Sequence, residues 1–223
     1  KTIINVVDNN GVTDVGKQID NEIPTSTTVY SDYLKNIQVN KSLFMKPATT
    51  LEIQKLIANL DINKSLGPNS LPVYIIKICN NVFAACLEKI ANICFSTGIF
   101  PDFFKVAKVI PIFKKEDPLL CKNYRPISLL PIFSKILEKL IYDRMYNFIE
   151  TNKLLSEKQF GFRKNHSTSH ALISLTESIK KHLDERKKVA GVFIDLQKAF
   201  DTVNHKILCN KLSYYGFRGK SND

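Results

Sequence analysis

Asp195 sits in the stretch VFIDLQKAFDTVNH, residues 192 to 205, directly after three apolar residues that read as a buried strand. An ionised carboxylate there is strongly unfavourable unless a cation or a set of donors compensates it. The pattern therefore asks for something opposite Asp195. Two ordinary answers stay open from these residues alone: the carboxylate caps the following turn, or it pairs with Lys198. Three further stretches carry charged or reactive groups: VIPIFKK at 109–115, NYRPISLLP at 123–131 and QFGFRKNHST at 159–168. The last mixes a glutamine, aromatics and basic residues, which suits stacking on nucleobases and holding a phosphate backbone. Its His166 leads into Ser167 and Thr168, so it starts the next helix rather than binding a metal, because no second ligand stands at helical spacing.

The elements that must position these groups are legible from spacing. Thr49 with Glu52 three positions on is a capping-box pattern, and Leu51, Ile53, Leu56, Ile57 and Leu60 continue it as an amphipathic helix that ends before Gly67-Pro68. Pro72 opens a second helix to about Ile78. Val82, Phe83, Cys86, Leu87, Ile90, Ile93 and Cys94 mark a third, stopped by Gly98 and Pro101. Residues 106–113 are short and β-branched, with Pro111 confining them to an edge or a bulge, and Pro118 and Asn123 mark the tip of a hairpin flanked by basic residues. Ile132, Phe133, Ile136, Leu137, Leu140, Ile141, Met145, Phe148 and Ile149 give the strongest helical period in the chain. Another helix is expected from Ser167 to Lys187 on the stripe Leu172, Leu175, Ile179 and Leu183, then a strand over Val189 to Leu196, then a helix from His205 to Tyr215. Helices first and strands inserted later make the fold class α+β.

The 223 residues are 44% hydrophobic, enough for a real core, and carry a formal charge of +11. That balance is unusual for a plain metabolic enzyme and favours a polyanionic partner, since Lys and Arg displacing counterions from phosphates supply most non-specific nucleic-acid affinity. The basic run Lys180, Lys181, Arg186, Lys187 and Lys188 reads first as a solvated helix face. Five cysteines with no C-x-x-C pair argue against a disulfide framework and a zinc knuckle and for a reducing compartment. Cys79, Cys86 and Cys94 recur at helical spacing, which reads as core packing. No run approaches the roughly 18 to 20 apolar residues of a membrane helix. Residues 1–43 are polar and without period, a linker or weakly ordered arm. The chain begins at Lys1 rather than Met, as a piece of something longer would.

Taken together, the four stretches resemble the reverse transcriptases of non-long-terminal-repeat retrotransposons, jockey-like elements in particular, in order and spacing over roughly Phe44 to Phe217. The resemblance implies a right-hand polymerase, with helical fingers carrying a β-hairpin and an incomplete antiparallel palm sheet, and makes residues 44–223 a partial reverse transcriptase domain. It implies an RNA-directed DNA polymerase that copies element RNA with two Mg²⁺ ions, which stabilise the attacking and leaving oxygens from positions roughly 3.5 to 4 Å apart. Asp195 then answers the opening question as a metal ligand, with the backbone carbonyl of Leu196 beside it. Phe200 matches the bulky aromatic under the sugar of the incoming nucleotide, although core packing stays open for it. Asp201 also matches the family box, with helix capping an equal reading. Lys114 and Arg125 match the residues that reach the nucleotide triphosphate, Lys115 less directly, while Gln159, Arg163 and Lys164 are the template-strand candidates.

The implied partners are an RNA template, a DNA primer and deoxynucleoside triphosphates, in the nucleus and in cytoplasmic ribonucleoprotein, with no membrane. The family also has a Pro-Gln-Gly box and an aromatic-Ala-Asp-Asp turn, neither of which occurs up to Asp223, so the chain by itself is expected to be catalytically silent. A non-catalytic RNA-binding remnant is the alternative.

Overall fold

The computed structural model describes Asp32 and residues 39–63, 65–196, 199–200 and 202–221. Most of the polar arm and the positions Gln197, Lys198 and Asp201 lie outside the described residues, and with them the pairing of Asp195 with Lys198 and the role of Asp201.

Thr49 starts the first helix, α1 (Thr50–Ala58), as the capping pattern predicts: its hydroxyl accepts the Glu52 backbone N–H at 3.2 Å. The Glu52 carboxylate is turned to Arg144, 92 residues away, so the side chain that would return the cap bond ties the helix to a distant part of the chain. Helices α2 (Val73–Ile78) and α3 (Asn80–Thr97) follow with only Cys79 between them. Gly98 ends α3 in the left-handed region, φ 78°, and donates its N–H to the Cys94 carbonyl. After the short α4 (Asp102–Lys105) and the hairpin comes the longest helix, α5 (Ile132–Thr151).

The core lies where these helices meet. Ile53 and Ile57 of α1, Val73 and Ile76 of α2, Ala84, Leu87 and Ala91 of α3, Phe104, and Ile136, Leu137 and Leu140 of α5 form one buried cluster. Burying an aliphatic side chain of this size is worth about 1.5–3 kcal/mol, so the cluster accounts for the five helices packing together. Polar groups reinforce it locally: the Asn92 amide both accepts from the Ala48 N–H, at 2.7 Å, and donates to the Ala48 carbonyl, at 3.1 Å. At Gly67 the chain passes so near the start of α5 that a Cβ would fall 2.3 Å from the Leu130 carbonyl carbon, and only glycine admits that approach.

Strands β1 (Lys108–Phe113) and β2 (Tyr124–Leu129) pair antiparallel with Pro111 opposite Pro126. The Lys114 N–H donates to the Asn123 carbonyl at 2.9 Å, so the hydrogen-bonded pairs fall on even-numbered residues of β1, and both prolines stand at non-hydrogen-bonded positions facing outward. Each free edge of this ribbon therefore lacks a donor, which discourages another strand from adding.

Beyond α5 come α6 (Thr168–Asp184), capped by Ser167 as expected, and α7 (His205–Tyr214), capped by Asn204. Gly216, at φ 97°, turns the chain so that Phe217 is fully buried, edge-on to Phe148 at 5.5 Å. Residues 39–43 are tied to this end: Leu43 N–H to Gly216 carbonyl at 2.8 Å, Val39 N–H to Tyr214 carbonyl at 3.2 Å, and Arg218 to both the Val39 carbonyl and the Ser42 hydroxyl.

The mixed helical and hairpin architecture is α+β, but three expectations need correction. Val189 to Leu196 forms no strand, and among the described residues the only sheet is the β1–β2 hairpin, so the palm sheet is not formed there. A strand needs a neighbour to take its N–H and C=O groups, and β1 and β2 bond only to each other. Val192, Phe193 and Ile194 are accordingly more than 80% exposed, and Asp195 is exposed rather than buried. Of the helically spaced cysteines only Cys94 is in the core, while Cys79 and Cys86 are exposed because the buried stripe of α3 runs through Ala84, Leu87, Ala91 and Cys94.

Candidate functional site

The basic residues flanking the hairpin tip are brought to one face by register. Arg125 stands directly opposite Ile112, and Lys114 is two residues beyond Ile112, so side-chain alternation puts Lys114 and Arg125 diagonally adjacent on the same side. The other side carries Phe113 against Tyr124, ring centroids 5.5 Å apart, with Tyr124 also donating its hydroxyl to the Pro118 carbonyl at the tip. The Asn123 amide donates to the Asp117 carbonyl, closing the loop on itself. Lys114 and Arg125 are both exposed, a pair of cations free to meet an anion.

The loop QFGFRKNHST is fixed to the C-terminal part of α5. Arg163 makes a two-bonded fork to Glu150, Nε to Oε1 at 2.9 Å and the terminal nitrogen to Oε2 at 3.0 Å, and also donates to the Ser156 carbonyl. That hydrogen-bonded fork holds the Glu150 carboxyl below its ordinary range and raises Arg163 above its own. The next residue is placed by Tyr146, whose hydroxyl accepts the Lys164 N–H at 2.9 Å, and the Lys164 ammonium stands 4.7 Å from the centre of the Tyr146 ring. Partial burial pushes the Tyr146 phenol up. Gln159 is exposed and reaches the Gly161 carbonyl at 3.5 Å. His166 turns Nδ1 to the Lys164 carbonyl at 2.9 Å.

Phe162, at φ 59° and 91% exposed, meets Phe200 edge to face with centroids 6.1 Å apart. The third and fourth stretches therefore touch. Phe200 is 80% exposed and outside the core, and Asp195 and Leu196 lie on the exposed segment before it. Among the described residues no group of three or more His, Cys, Asp or Glu is arranged to hold a metal ion.

A family model for reverse transcriptase (RNA-dependent DNA polymerase) matches residues 112–221, from β1 to the last turn and through every candidate residue named above. The chain is 33% identical over 210 residues, 86% of its length, to the probable RNA-directed DNA polymerase from transposon BS of Drosophila melanogaster. It is 33% identical over 171 residues, 76% of its length, to the RNA-directed DNA polymerase from mobile element jockey of the same fly, and 30% identical over 173 residues, 75% of its length, to the probable RNA-directed DNA polymerase from transposon X-element. The chain belongs to the reverse transcriptase family. These relatives are RNA-directed DNA polymerases of jockey and other non-long-terminal-repeat retrotransposons, and the chain spans about a fifth of their length, 22% of the first and 19% of the other two.

Reverse transcriptases use an RNA template, nucleotide substrates and divalent metal ions. In this reverse transcriptase segment the sequence pointed to the cations but missed the groups that hold them. Glu150 and Tyr146 each position one residue of the 159–168 loop. Tyr142 and Tyr146, four residues apart and off the apolar stripe of α5, were the available signal. Among the described residues no helix is long and apolar enough to cross a membrane.

Proposed function

We propose that this chain is the fingers and first palm segment of an RNA-directed DNA polymerase, the part that grips the incoming nucleotide and the template. The observation that carries this reading is the shared face of Lys114 and Arg125, inside the region matched by the reverse transcriptase model. Two exposed cations side by side, one a planar fork and one a mobile ammonium, suit a triphosphate. Gln159 and Lys164 then face the template strand, and Arg163 acts with them while held by Glu150. Phe200, projecting beside Phe162, is the aromatic for the sugar of the nucleotide, where a ribose 2′-hydroxyl would clash.

The metal we infer is Mg²⁺, because the Asp195 carboxylate and the Leu196 carbonyl are adjacent hard oxygens of the kind that ion takes. When bound, it supplies charge stabilisation at the attacking and leaving oxygens. The described residues contribute these two oxygens and no complete ligand set, so they hold one side of the ion. The contributions of the chain itself are to bind the triphosphate, orient the template and screen the sugar.

The test is primer extension by the full gene product that contains this chain, on an RNA template with Mg²⁺. Asp195→Ala should lower the rate at least about 100-fold, the order seen when a group that stabilises transition-state charge is deleted. Extension unaffected by that substitution sinks the reading.

A further inference from the structure

The outer side of α5 carries an arrangement that neither the fold nor the nucleotide-binding face uses. Tyr142 and Tyr146 are stacked, with ring centroids 5.5 Å apart and planes inclined by 24°. The Lys139 ammonium lies 4.7 Å from the Tyr142 ring centre, and Lys164 lies 4.7 Å from Tyr146 and 6.0 Å from Tyr142. The core of the helix faces elsewhere, through Ile136, Leu137 and Leu140, and the Tyr142 side remains 43% exposed. We propose that Tyr142 and Tyr146, with Lys139 and Lys164, form a stacking platform for the bases of single-stranded RNA.

Three features point to RNA rather than to a protein partner. Stacked rings with free area continue naturally into a base, because every nucleobase offers a π-face. Both cations stand over the rings on flexible stems, so a base that stacks on Tyr142 displaces an ammonium from the ring face toward the phosphates on either side of that base. The chain as a whole carries a formal charge of +11, which draws polyanions to it. Lys139 is shared with Asp143, 2.7 Å away, and its flexible stem lets it exchange that half-buried carboxylate for a phosphate. Lys164 is held in place from two directions, by its own N–H on the Tyr146 hydroxyl and by the Glu150–Arg163 fork on the preceding residue. The platform thus extends the template contact already assigned to Lys164 along α5, and it rests on that assignment.

The test uses the chain with fluorescently labelled oligouridine RNA, followed by anisotropy, and heparin as a polyanion without bases. Tyr142→Leu should weaken RNA binding roughly tenfold, the order of losing one base–aromatic stack, while leaving heparin binding and the melting transition unchanged. Tyr142→Phe should bind RNA as the unsubstituted chain does. Unchanged RNA affinity in Tyr142→Leu, or an equal loss toward heparin, overturns the platform. A second measurement needs no variant: photocrosslinking of the unsubstituted chain to 5-iodouridine RNA should label Tyr142 or Tyr146, and labelling confined to other residues overturns it. The polymerase reading fails separately. Extension unaffected by Asp195→Ala overturns that reading and leaves the oligouridine results standing, whereas a chain that binds no RNA at all overturns the template contact and the platform with it.

Discussion

Glu150 and Arg163, 13 residues apart, are joined by two hydrogen bonds of 2.9 and 3.0 Å, and this fork fastens the 159–168 loop to the end of α5. An arginine in a basic loop is easily taken for a phosphate ligand, yet here its guanidinium is occupied by a carboxylate and the Ser156 carbonyl. The two roles predict opposite results for Glu150→Gln. If Arg163 mainly fixes the loop, the variant binds RNA more weakly, by roughly two- to tenfold, the order of re-ordering one long side chain on binding. If Arg163 is a direct phosphate ligand restrained by Glu150, the variant binds more tightly, since a negative charge has gone. The weaker binding is expected, and tighter binding in a salt titration would reassign Arg163.

The same fork predicts a pH dependence with a definite sign. Hydrogen bonding to Arg163 lowers the Glu150 pKa in the folded chain. Its contribution to holding the loop is therefore complete above the unfolded carboxyl value, about 4.3, and is lost as pH falls through the depressed folded value. Hydrogen exchange at the Lys164 amide, which donates to Tyr146, reports the loop. Protection relative to the intrinsic rate should hold from neutral pH down to about pH 4 and fall below it. In Glu150→Gln the protection should be lower throughout and flat across that window. An unsubstituted chain with the same flat profile would show that the fork does not secure the loop.

Arg144 ties α5 to α1 and to the segment before it. Its Nε donates to the Lys46 carbonyl at 2.6 Å, and its two terminal nitrogens reach the Leu140 and Pro47 carbonyls and both oxygens of Glu52. All five donors are engaged, and the guanidinium carbon stands 4.9 Å from the centre of the Phe95 ring. Lysine has the charge but neither the fork nor the planar stack. Arg144→Lys should therefore destabilise the chain by about 1.5–3 kcal/mol, the order of losing one hydrogen bond to a charged group, read as a fall in the urea midpoint at unchanged slope. Glu52→Gln should cost less, because that side chain is about one-third exposed and water replaces part of the pair. A lysine variant as stable as the parent would make Arg144 dispensable.

What the sequence disclosed and what it hid divide along one physical line. Thr49, Gly98, Ser167 and the long period of α5 act through neighbours a few residues away, so their spacing is enough to read them. The hairpin was legible for the same reason, from Pro118 and Asn123 at its tip. Val189 to Leu196 has the composition of a strand, but a strand is completed by a partner, and composition cannot supply one. Arg144 looks like any helix-surface cation until residues 46, 47 and 52 arrive. The candidate cations were visible as types, while the carboxylate and phenol that hold the 159–168 loop were not, since Glu150 and Tyr146 sit on a different element.

The shared face of Lys114 and Arg125 leads to a last prediction that separates two ways a basic hairpin can serve a polymerase. Cations that grip the triphosphate act on the nucleotide alone, whereas cations that track a strand act on the template and raise the salt dependence of its binding, by about 0.7 per phosphate for single strands. In the full gene product, Lys114→Ala and Arg125→Lys should each raise KM for the incoming nucleotide by about tenfold or more, the order of one hydrogen bond to a charged group. Arg125→Lys belongs in the pair because it keeps the charge and removes only the fork, so a loss there assigns the bidentate geometry rather than the electrostatics. Primer-template affinity and its salt slope should be unchanged in both. A lowered salt slope with KM for the nucleotide unaltered would move the hairpin from the nucleotide to the template, since the same face cannot be saturated by phosphates of both at once.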